Sequence, residues 1–75
     1  MRLSIRGEKD GSGRGEWDFL AIPSRGDRIT IPSGRSIEIL EVLYVEHSPG
    51  HANPTPSAAP ARMTVVVKNV GWWDG

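Results

Sequence analysis

A proline-serine-glycine turn folds the middle of this chain back on itself. Ile29-Thr30-Ile31 precedes Pro32-Ser33-Gly34, and a long β-prone run over residues 36–46 follows it. Isoleucine and valine branch at Cβ, which suits a pleated strand better than a helix. Proline cannot donate to a ladder, and glycine accepts backbone angles that other residues avoid. Two strands joined at residues 32–34 are therefore expected. Ile29 and Ile31 share one face, with Arg28 and Thr30 on the other. The second strand carries a flaw in its alternation. Ile37 and Ile39 are apolar at odd positions, and from Leu40 the even positions join them through Val42 and Tyr44. A bulge near Leu40–Glu41 that bends the strand accounts for the slip.

The rest of the chain extends the same pattern. Residues 2–6 alternate Leu3 and Ile5 with polar neighbours, the period of a half-buried strand. Residues 7–15 hold four glycines among charges and read as a mobile hairpin loop. Residues 16–22 form a second strand, Trp17 and Phe19 on one face, closed by Pro23. Residues 24–27 make a turn. Residues 47–61 contain four prolines and no charged side chain, which predicts an extended Pro/Ala/Ser-rich loop. Residues 62–70, with Val65, Val66 and Val67 in sequence, form the last strand. Residues 71–75 are a tryptophan-bearing C-terminal tail. No amphipathic helix competes. The expected fold is all-β: one domain over residues 1–75, a small five-stranded antiparallel barrel or sandwich with one long proline-rich loop.

Seventy-five residues bury only a small core. Without cysteine, neither a disulfide nor a thiolate metal site reinforces it. Reinforcement falls to tight packing, the three tryptophans or a partner chain. A formal net charge of zero lacks the cationic field of a strong non-specific nucleic-acid binder. Residues 1–37 carry seven basic and five acidic side chains and residues 38–75 carry two and four, a mild split of +2 against −2. No run approaches the roughly 20 apolar residues that span a bilayer, and the N-terminus has no apolar signal core. A cytoplasmic protein, not bound to membrane, is expected.

The segment Pro23-Ser24-Arg25-Gly26-Asp27-Arg28-Ile29-Thr30-Ile31 resembles the Gly-Asp turn of small SH3-like β-barrels. In those barrels a Gly-Asp pair opens a strand, a glycine-bearing turn follows, and a long bent strand carries an aromatic. Gly26, Asp27, Gly34 and Tyr44 occupy these places. The resemblance implies an SH3-like barrel. It is similar to modules of phage head–tail connectors, chaperonin cofactors and RNA-binding ribosomal folds.

Several motifs reduce to structure. Arg25-Gly26-Asp27 matches an adhesion tripeptide, but a turn explains both Gly26 and Asp27, whose carboxylate caps backbone N–H groups. Asp10, Ser12 and Arg14 begin like a calcium loop. Its fifth position is Arg14 and its twelfth is Ala21, where oxygen ligands are required. Glu46, His47 and His51 are the one histidine–carboxylate group, and Pro49 and Gly50 break any helical spacing between the imidazoles. Neither a metal site, a cofactor, a catalytic group nor a small-molecule substrate is implied.

Trp72 and Trp73 are the sharpest feature. Adjacent strand residues point to opposite faces, so the expectation is one ring capping the open end of a barrel and the other meeting a partner. The expected partner is a protein or a second copy, met at a sheet edge by Trp72, Trp73 and Tyr44. The expected role is a non-catalytic interaction or assembly module, of the kind found among phage-like or mobile-element accessory proteins. The alternative is a small nucleic-acid-binding barrel, with Arg25, Arg28 and Arg35 on a shared rim of turns.

Overall fold

A computed structural model of the chain describes residues 1–9, 11–50, 52 and 60–74. Five strands form one sheet: β1 (Arg2–Gly7), β2 (Gly13–Asp18), β3 (Arg28–Ser33), β4 (Ser36–Ser48) and β5 (Arg62–Asp74). Their order is β2-β1-β5-β4-β3. The expected all-β, five-stranded fold is present, with two corrections. The sheet is mixed, because β1 and β5 run parallel while the other pairs are antiparallel. It is also open: β2 and β3 are its edges, and no ladder joins them among the described residues.

The β3–β4 hairpin forms for the reasons legible in its sequence. Ser33 pairs with Ser36 across Gly34-Arg35. Gly34 has φ +64° and Arg35 does not turn positive, as a two-residue II′ turn requires. The Gly26–Asp27 turn docks on β4: Gly26 N–H donates to the Val42 carbonyl (2.9 Å) and Val42 N–H to the Asp27 carbonyl (2.8 Å). The Asp27 carboxylate accepts from Ser24 N–H at 2.8 Å, as its turn position predicts.

One face of the sheet is the core. Leu3, Ile5, Ile31, Leu40, Val42, Val65 and Val67 are buried together there, with Trp17, Phe19, Ile29, Val45 and Met63 packed around them. Val66 is also fully buried but belongs to the opposite face, between its ladder neighbours Arg6 and Tyr44.

The pairing of β4 does slip in register, but not through a β4 bulge at Leu40–Glu41 as expected. At Ile39/Leu40 the surplus residue is Val70 of β5. Within β4 it is Leu43, between Val42 and Tyr44. The inward set is accordingly Glu38, Leu40 and Val42 before Leu43, and Val45 after it. A third bulge separates Ser4 from Arg6 on the β2 side, where Gly15 has φ +85°.

Element limits also moved. β2 begins within the predicted glycine loop, and its pairing ends with the reciprocal bonds between Met1 and Phe19. Leu20 and Ile22 lie beyond that pairing and are exposed, so the expected strand over residues 16–22 is cut short. His47 and Ser48 belong to β4, not to the loop. Residues 71–74 are not a tail: β4 supplies ladder partners for them, and they continue β5 to Asp74.

Glu38 is the one charged residue buried among the described side chains, at 6% exposure. Arg14 reaches it from β2 in a two-pronged pair, Nε to Oε1 at 3.0 Å and Nη2 to Oε2 at 3.2 Å. Asn69 Nδ2 donates to Oε2 at 2.9 Å. The Trp17 indole N–H donates to the Arg14 carbonyl at 2.7 Å, fixing the bulged residue whose side chain crosses the concave face. Removing one member strands a buried charge, at a cost of about 3–5 kcal/mol, whereas an apolar pair of similar volume is near neutral. Arg14→Ala is therefore expected to lower the urea midpoint sharply or to prevent folding. Arg14→Met with Glu38→Leu is expected to restore most of the loss in the same titration.

Candidate functional site

The strands differ in length, and that difference builds the site. β5 is a 13-residue strand, but β1 pairs with it only from Thr64 to Val67. Glu8 N–H closes that side with a bond to the Val67 carbonyl at 2.9 Å. Past Val67, no backbone partner lies on the β1 side of β5 among the described residues.

The direction of the backbone groups follows from the ladder. Val42 exchanges bonds with the β3 side, through Gly26 and Asp27. Backbone groups alternate sides along a strand, so Ile39 and Ile37 address β5. Their partners Gly71 and Trp73 face back toward β4. Trp72 and Asp74 consequently turn their N–H and C=O groups to the open side.

Side chains from the same stretch flank that open backbone. Trp72 pairs with Glu38 and shares the core-side face. Trp73 pairs with Ile37, which pairs with Pro32, so an apolar row crosses the opposite face. The two indoles are 56% and 59% exposed. Capping of a barrel end, expected for at least one of them, does not occur. Val70 is exposed beside them, and a Cβ at Gly71 would meet nothing within 4 Å. The Asp74 carboxylate accepts a bond from the Ser36 hydroxyl.

The remaining predicted residues are not gathered here. Tyr44 is exposed on the Trp73 face but lies opposite Val66, about 20 Å along β4 from Ile37. Arg25 and Arg28 are exposed at the start of β3, and Arg35 is exposed in the turn that ends it. A six-residue strand of roughly 17–20 Å lies between them, so the expected common rim does not form. Arg28 is in register with Glu41, whose carboxylate is 3.5 Å from Lys68. His47 is exposed near the end of β4, opposite Met63. The predicted neighbour His51 and the first calcium-loop position Asp10 lie outside the described residues, as do positions 53–59 of the proline-rich loop.

Two shallow hollows lie among the described residues. One, of about 460 Å³, lies between residues 18–23 and 27–29. The other, of about 370 Å³, is lined by Gly7, Glu8, Lys9, Arg14, Val67, Lys68 and Asn69, next to the open part of β5. Among the described residues no group of three His, Asp or Glu side chains is placed to hold a metal ion. None of the described elements is a helix long and apolar enough to cross a membrane.

Sequence reasoning missed the Arg14–Glu38–Asn69 cluster and the open edge. Glu38 carried a signal: it shares the even parity of Leu40 and Val42 and so breaks the apolar face. The edge had none, because it depends on where β1 stops beside a strand some sixty residues later in sequence. No protein-family model, curated protein or solved structure matches this chain.

The exposures predict a fluorescence pattern. Acrylamide is expected to quench most emission of the wild-type chain, through Trp72 and Trp73. The Trp72→Ala, Trp73→Ala double variant is expected to retain a blue-shifted, protected signal from half-buried Trp17, read by Stern–Volmer analysis.

Proposed function

We propose that this chain is a non-catalytic protein-interaction or assembly module that takes an extended segment along the open half of β5. The observation that carries this reading is the outward N–H and C=O of Trp72 and Asp74, with one exposed indole on each face of the strand. An added strand gains main-chain hydrogen bonds from such an edge. Its alternate side chains meet the two faces separately, which provides selectivity. Tryptophan is the residue type most enriched where interfaces concentrate their energy. Tyr44 stands apart from this contact and belongs to a second surface, over Val66, in the same proposal.

An SH3-like barrel ancestry, resting on the Gly26–Asp27 turn and its docking on β4, is part of the proposal. So are a cytoplasmic setting, resting on composition, and an assembly role like that of phage-like or mobile-element accessory proteins, which is a fold-level analogy. The nucleic-acid alternative has less support, since Arg25, Arg28 and Arg35 sit at opposite ends of β3. Loss of tryptophan emission on titration with single-stranded oligonucleotides at low salt would favour it instead.

Selection of a random peptide library on the immobilised chain tests the leading reading. Enriched peptides are expected to alternate apolar and polar residues. They are expected to bind the Trp72→Ala, Trp73→Ala variant at least tenfold more weakly, about 1.4 kcal/mol or more. No enrichment, or equal binding to the double variant, overturns it.

A further inference from the structure

We infer that the occupant of the β5 edge is a second copy of this chain, paired antiparallel through residues 70–74 about a two-fold axis at Trp72. The inference rests on the proposed edge-binding function and names its partner. An isologous contact needs a surface complementary to itself. Antiparallel pairing centred on Trp72 sets Trp72 against Trp72, Gly71 against Trp73 and Val70 against Asp74 of the other copy. Trp72 is an outward-facing residue, so two copies exchange both of its hydrogen bonds at the axis.

The side chains match in this register. On the face away from the core, Trp73 of one copy lies across Gly71 of the other, where the space is open. An aromatic laid over a cross-strand glycine covers exposed backbone on both strands. The two Trp72 rings meet side by side on the other face. Charge agrees as well. Asp74 of the second copy arrives opposite Val70, one residue from Asn69 and its hollow. The lining of that hollow sets Lys9, Arg14 and Lys68 against the single carboxylate of Glu8, Arg14 and Lys68 being paired within the chain to Glu38 and Glu41. The two-fold axis makes each such contact twice.

Area sets the strength. At more than half exposure each, the two indoles offer about 300 Å² per copy, hence about 600 Å² across the pair. Specific stable interfaces begin near 1,200 Å², so the indoles supply about half, and Val70, Asp74 and the covered backbone add to them. A concentration-dependent dimer follows, not a permanent one.

Sedimentation velocity over a wide concentration range tests this. The wild-type chain is expected to move from 8.2 kDa toward twice that mass as concentration rises. Gly71→Lys puts a charged side chain where Trp73 of the second copy would lie, and its Cβ is unobstructed in the single chain. It is expected to weaken dimerisation at least tenfold with an unchanged circular dichroism spectrum and melting temperature. Trp73→Ala is expected to do the same and serves if Gly71→Lys misfolds. A wild-type chain that stays monomeric to millimolar concentration, or a folded Gly71→Lys chain that dimerises like wild type, overturns the inference. Monomeric behaviour together with tryptophan-dependent peptide binding rejects the second copy and leaves the interaction module standing. Absence of both rejects both.

Discussion

The Arg14–Glu38 pair holds the curl of this sheet. Because β2 and β3 share no ladder, the concave core is not sealed by backbone hydrogen bonds. Arg14 crosses from β2 to β4 and meets a carboxylate that β4 presents among its inward residues. Both oxygens of Glu38 are used, and Asn69 of β5 adds a donor. Three strands thus converge on one buried charge. A single hydrogen bond would leave part of that charge uncompensated, and burial would then oppose folding. The bulge at Gly15 and the Trp17 bond to the Arg14 carbonyl give the arginine its approach. Core packing of Trp17 and Phe19 and the path of β2 are tied to the same contact.

Local features were legible because local chemistry decides them. Gly34 turns because a two-residue hairpin needs positive φ at its first position, and Asp27 caps its turn because its carboxylate reaches Ser24. The face of Ile29 and Ile31 followed from alternation. What failed was governed by distant pairing. The parallel β1–β5 ladder gives a mixed sheet where neighbouring strands in sequence suggested only antiparallel ones. The phase of β4 depends on which strand donates the surplus residue, and here Val70 and Leu43 each donate one. Glu38 shares the parity of Leu40 and Val42, but its partner Arg14 is 24 positions away in the glycine-rich stretch, so the pair was not legible.

The tryptophans show the same divide. Their adjacency correctly predicts opposite faces, which is a property of any strand. Their status as strand or tail depended on the length of β4, and β4 provides Glu38 and Ile37 as ladder partners. The ladder extends them away from the core, so neither ring closes an open end. Their exposure is a consequence of strand register and not of a missing cover over a barrel.

The other edges are guarded in ways this one is not. On β3, Ile29, Ile31 and Ser33 direct their backbone groups to β4 by the same alternation that orients Val42. Arg28, Thr30 and Pro32 face outward. Pro32 brings no N–H to that edge, and Arg28 brings a charge, both of which discourage an added strand. On β2, the edge holds the carboxylates of Glu16 and Asp18, again a poor template. The half of β5 beyond Val67 has no proline, and its charge comes only at Lys68 and Asp74. Between them stand Asn69, Val70, Gly71, Trp72 and Trp73. Beyond the bulge at Val70, residues 71–73 are uncharged and mostly apolar, whereas the two outer strands carry proline or charge on their edges.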